Sequence, residues 1–126
     1  MASNKVGIVV CDFGLATMVP EGVKYVPHTV GTPNYMAPEI VLEKGACFAS
    51  DIFSLGVTLF HCLTGRPPFN GKNVSGTYRR IMEGSYRWKT AEKANISSTL
   101  RHMIDDMMDT NPNKRLTPSQ VLAQLR

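Results

Sequence analysis

Asp12 ends an apolar run and is followed by Phe13 and Gly14, while Asp51 stands at the start of the greasiest stretch of the chain. Two carboxylates are therefore set against apolar segments, but an Asp-Phe-Gly turn taken alone says little, and Asp51 is also compatible with a plain helix cap. The three cysteines, Cys11, Cys47 and Cys62, share no metal-ligand spacing and are odd in number. They read as reduced, partly buried thiols rather than a zinc site or a disulfide frame. Arg79, Arg80, Arg87, Lys89 and Lys93 form a loose basic set without the aromatic interleaving of a single-strand binder. They read as a solvated face, with no nucleic-acid partner.

The element that must position these groups is SDIFSLGVTLFHCLTG, residues 50–65. Its apolar side chains cannot be confined to one stripe, so it predicts a core helix, capped by Ser50 or Asp51 and stopped by Gly65 and Pro67-Pro68. It is too short and too interrupted by Asp51, Thr58, His61 and Thr64 to cross a bilayer. The whole chain has 126 residues, 43% of them hydrophobic, and a net charge of +4, the profile of one ordinary globular domain. No long apolar segment follows Met1, which predicts a cytoplasmic or nuclear protein.

In chain order, the β-branched run 6–11 predicts a short buried strand. Residues 15–30 carry Pro20, Gly22 and Pro27 and read as a long surface loop, a length that is usually functional. A short helix over 39–44 precedes the core helix. Residues 74–83 place Val74, Tyr78, Ile81 and Met82 at helical spacing, and 85–94 reads as an irregular connection with Trp88 turned inward. Ser97 or Ser98 then caps a helix whose Leu100, Met103, Ile104, Met107 and Met108 follow the i, i+3, i+4 rule, a stripe that reads as core packing. Thr117-Pro118-Ser119-Gln120 opens the last helix with a capping box. The predicted fold is mainly α, with one short N-terminal strand.

Taken together, Asp12-Phe13-Gly14, Ala37-Pro38-Glu39, the DIFSLG run from Asp51, and Arg115 in NPNKRLT resemble the second half of a eukaryotic protein kinase catalytic domain. The resemblance runs from Ile8 to the C-terminus. It implies a partial kinase domain over 1–126, with an activation segment at about 12–39 and the helical subdomain at about 40–126. By the same resemblance, Asp12 is the carboxylate that holds Mg²⁺ on the phosphates of ATP, and Phe13 and Gly14 complete that cofactor-binding turn. Thr32, in Gly31-Thr32-Pro33, matches the threonine that supports the catalytic aspartate in kinases specific for Ser and Thr. Glu39 and Arg115 match a buried ion pair, and Asp51 an acceptor for the catalytic-loop backbone.

Two departures qualify the match. Where many activation loops carry a phosphorylated residue this chain has His28, with Thr29 one place later, so Thr29 is the candidate phosphosite beside Thr17 and Tyr25. Arg79 occupies the place of a glutamate in basophilic relatives, which implies weak selection for arginine upstream of the phosphoacceptor. GTPNYMAPE and TYRRI are similar to Polo-like and to calcium/calmodulin-type kinases in equal measure.

Nothing before Asp12 resembles a glycine-rich loop, a strand lysine or a His-Arg-Asp catalytic loop, so the catalytic base is absent from this sequence. ATP and Mg²⁺ are expected in the intact enzyme and no tight binding of either by this chain, which is expected to be inactive alone. A protein substrate or regulatory protein is expected on the activation segment and the 74–83 helix, together with a missing N-terminal half. One flank of the core helix, which packs on an upstream helix in the family, is expected to lie bare. The alternatives are a noncatalytic binding or regulatory module derived from a kinase, and a split enzyme completed by a separate chain.

Overall fold

The computed structural model describes residues 7–28 and 30–126. A side-chain cap opens, or a left-handed glycine closes, several of the helices. Two 3₁₀ turns, Phe13–Leu15 and Pro33–Tyr35, precede six helices: α1 (Pro38–Val41), α2 (Phe48–Thr64), α3 (Val74–Glu83), α4 (Thr90–Asn95), α5 (Ser98–Met107) and α6 (Pro118–Gln124). Gly65 and Gly84 take positive φ (74° and 60°) immediately after α2 and α3, where an L side chain would be strained. Asn73, Ser97 and Thr117 accept the free N–H groups that open α3, α5 and α6.

The long helix α2 is the axis of the core. Phe53, Val57 and Phe60 are fully buried on it, each contributing about 1.5–3 kcal/mol by removal from water. Its main neighbour is α5, whose Met103, Ile104, Met107 and the following Met108 are the inward stripe predicted from the sequence. Gly56 makes this approach possible, since a Cβ there would lie 2.9 Å from Met108 Cγ and 3.0 Å from Met107 Cβ. Phe69 stacks on Phe53 at 5.6 Å between centroids, and Phe60 meets Tyr86 and Trp88 at 5.6 and 4.4 Å. Trp88 is thus turned inward, with its indole N–H donated to Asp105 at 2.9 Å.

Several expectations are corrected. Residues 7–11 form no strand: Ile8, Val9 and Val10 are exposed, and Val6 lies outside the described residues. A strand needs a hydrogen-bonded neighbour, and none of the described residues supplies one to this segment. Cys11 is accordingly exposed rather than buried, and so is Cys62. The only pairing of β type among the described residues is an isolated antiparallel bridge, Val26 to Ala46, with both N–H···O distances at 2.9 Å.

Helix α2 starts at Phe48 with Cys47 as its cap residue, so Ser50 and Asp51 are already inside it. Ser50 Oγ still serves that end by accepting the Cys47 N–H at 3.0 Å. The stretch read as an irregular connection contains α4, because Glu92 accepts the Lys89 N–H at 2.8 Å and closes the first turn. A lysine at the cap position gave no capping signal. The short helix predicted over 39–44 is shifted to Pro38–Val41, followed by a turn in which Glu43 has φ 56°.

Candidate functional site

Glu39 and Arg115, 76 residues apart, meet in the interior between α1, the start of α2 and the loop before α6. Nη1 and Nη2 of Arg115 donate to Oε1 and Oε2 of Glu39, each at 2.7 Å, a bidentate fork on a nearly inaccessible carboxylate. Arg115 also donates Nε–H to the Asp109 carbonyl at 2.7 Å, Nη1–H to the Ala49 carbonyl at 2.9 Å and Nη2–H to the Thr110 carbonyl at 3.5 Å. All five guanidinium donors are used, and the group lies 4.9 Å over the Phe53 ring. Ser50 Oγ–H donates to Glu39 Oε1 at 2.6 Å. Burial pushes the Glu39 carboxyl up, but the Arg115 and Ser50 hydrogen bonds and the Arg115 charge outweigh it and hold its pKa below the ordinary value.

This pair anchors the segment that precedes it. Met36 and Ala37 are buried, Ser54 Oγ–H donates to the Tyr35 carbonyl at 2.8 Å, and the Tyr78 hydroxyl of α3 reaches Met36 Sδ at 3.6 Å. Tyr35 Oη lies 2.7 Å from His61 Nδ1 on α2. Upstream, residues 15–28 and 30–32 arch over the N-terminal end of α2 and border a cleft of about 410 Å³, walled by Thr17, Val26, His28, Thr32, Cys47 and Asp51 among others. The Val26 bridge to Ala46 pins the arch, and Gly45 permits it: at φ 104°, a Cβ would lie 2.4 Å from the Val26 carbonyl oxygen.

The structure brings some predicted residues together and leaves others apart. Thr32 and Asp51, 19 positions apart, are both exposed and share the cleft. Thr32 precedes the Pro33–Tyr35 turn but makes no side-chain cap. Asp12, Phe13 and Gly14 are exposed and lie outside the cleft walls, with Asp12 at φ 64° before its 3₁₀ turn. Asp12 is an oxygen donor of the kind Mg²⁺ accepts, yet no group of three or more His, Cys, Asp or Glu side chains converges among the described residues. One carboxylate does not make a metal centre. Thr29 lies outside the described residues. Sequence reasoning missed Ser50 as a partner of Glu39, the Tyr35–His61 contact, and Asp105, which accepts from both Tyr86 and Trp88. None of these has a local sequence signature.

A helical base to which a long, mostly irregular segment is pinned by a buried Glu–Arg fork is the architecture of the helical lobe of protein kinases. The chain belongs to the protein kinase domain family, which matches residues 1–125. It is 39% identical to calcium-dependent protein kinase 13 of Arabidopsis thaliana, over 88% of this chain and 21% of that protein. It is 38% identical to a probable cell cycle serine/threonine-protein kinase, the CDC5 homolog of Encephalitozoon cuniculi, over 95% of this chain and 25% of that protein. With the serine/threonine-protein kinase polo of Drosophila melanogaster it shares 37% identity over 88% of this chain and 19% of that protein. The chain thus spans a quarter or less of the length of these curated relatives. It is part of a kinase catalytic domain, of a family that uses ATP and Mg²⁺.

Proposed function

We propose that this chain is the activation segment, about 12–39, and the helical substrate platform, about 40–126, of a serine/threonine protein kinase. In the intact enzyme it serves ATP-dependent phosphoryl transfer to Ser or Thr of a protein. The observation that carries this reading is the Glu39–Arg115 fork, because it fixes the segment from Gly31 to Glu39 on the helical base, where a peptide can be held in register. Asp12 would contact Mg²⁺ bound to the nucleotide, with Phe13 and Gly14 shaping that turn, and Thr32 would support the catalytic aspartate. A protein substrate or regulatory protein would lie along the activation segment and α3. No described helix is long and apolar enough to cross a membrane, and a cytoplasmic or nuclear location accords with that.

The isolated chain is proposed to be inactive. Phosphoryl transfer rests on positioning and charge stabilisation, and of the groups that cradle nucleotide, deprotonate the acceptor and hold metal, this sequence offers a match only to Asp12. Incubation of the purified chain with radiolabelled ATP, Mg²⁺ and a Ser/Thr peptide mixture is expected to give no incorporation. Incorporation that disappears in Asp12→Ala would overturn the proposal. The bare stripe of α2, with Phe48 76% and Leu55 44% exposed, favours a second reading as a noncatalytic binding module. Mixing with an N-terminal kinase half separates the two: restored transfer supports the first, and a stable inactive complex the second.

A further inference from the structure

Residues 72–93 hold six of the fourteen Lys and Arg residues but two of the ten Asp and Glu, so this stretch carries the whole net charge of +4 and the rest of the chain is balanced. Lys72, Arg79, Arg80, Arg87, Lys89 and Lys93 are all exposed. One of the two acids, Glu92, is neutralised by Arg66 at 3.1 Å. Folding brings Arg87 and Lys93 to one shallow hollow of about 420 Å³, whose other walls are Tyr86, Trp88 and Asp105. None of the six basic residues lines the cleft near Thr32; Arg79 and Arg80 stand on α3, so the inference rests on the protein-partner reading of that helix and adds the partner's charge.

We propose that this surface, centred on the hollow between Arg87 and Lys93, docks an acidic segment of a partner protein. Exposed basic groups in excess over acidic ones attract acidic partners and steer their approach. A protein segment fits better than a nucleic acid for two reasons. The aromatic walls are not free stacking platforms, because Tyr86 and Trp88 pack on Phe60 and give their polar hydrogens to Asp105. The hollow also has one acidic wall, the Asp105 carboxylate. A continuous polyanion meets repulsion there, whereas a peptide can set separate carboxylates on Arg87, Lys89 and Lys93.

The test is titration of the chain with a labelled Glu-rich peptide by anisotropy, together with the emission of Trp88, its only tryptophan. Saturable binding with a change in Trp88 emission is expected. The double variant Arg87→Glu/Lys93→Glu should weaken it about tenfold, while Lys44→Glu/Lys114→Glu stays within about twofold of the parent. Absence of saturable binding overturns the proposal, as do equal losses in both double variants or a silent Trp88. Tighter binding of a single-stranded oligonucleotide of equal charge would assign the surface to nucleic acid instead.

Discussion

At the scale of single residues, Arg115 has the largest predicted effect. Removing it leaves a buried, uncompensated Glu39 carboxylate and strips donors from the Asp109 and Ala49 carbonyls. Arg115→Ala is expected to cost about 3–5 kcal/mol, read as a large fall in Tm, and an unchanged Tm would refute the structural weight placed on the fork. The same pair makes stability depend on pH in a known direction. Because the folded Glu39 carboxyl titrates below its ordinary value of 4.5, its contribution is complete above that pH and is lost as pH falls through the lowered folded value. Below about pH 4 the slope of stability against pH should therefore be shallower in Glu39→Gln than in the parent chain. Equal slopes would show that the pair is not coupled to folding.

Among the elements, the arch formed by residues 15–28 and 30–32 depends on its pin. Gly45 is buried against Val26, at a φ that side-chain-bearing residues avoid, so Gly45→Ala must break the Val26–Ala46 bridge or strain the turn. A loss of about 1–3 kcal/mol in local stability is expected, seen as faster proteolytic nicking within 15–30 while α2 and α5 stay protected in hydrogen exchange. Unaltered nicking would mean that the fork at Glu39, and not the bridge, holds the arch. The helices tolerate more: α3, α5 and α6 each carry their own N-terminal cap, and α3 stops on left-handed Gly84, so their existence does not depend on one distant contact.

For the molecule as a whole, the exposed apolar surface matters most. Phe48, Leu55 and Leu63 on α2 are 76%, 44% and 42% exposed, and Ile8, Val9, Val10 and Phe13 add to that surface. Apolar area of this kind drives association. Sedimentation at increasing concentration is expected to show mass above the monomer, reduced by the double change Phe48→Ser/Leu55→Lys. A strictly monomeric parent chain would contradict it. The bare flank of α2 was anticipated from the family resemblance, whereas periodicity alone described a helix greasy all round.

The sequence alone determined what depends on near neighbours. Caps at Ser97 and Thr117, the stops at Gly65 and Gly84, the methionine stripe of α5 and the family motifs are all set by residues within a few positions of one another. A helix closes its own hydrogen bonds, so its signals are local. Tertiary structure decided whatever needs a distant partner. It left the β-branched run at 7–11 without a neighbour to pair with, gave Ser50 the Glu39 carboxylate as a partner in addition to the first turn of α2, and joined Glu39 to Arg115 across 76 positions. It also gathered Arg87 and Lys93 at one hollow, because strand pairing, buried charge and surface potential are properties of separate segments once folding has brought them together.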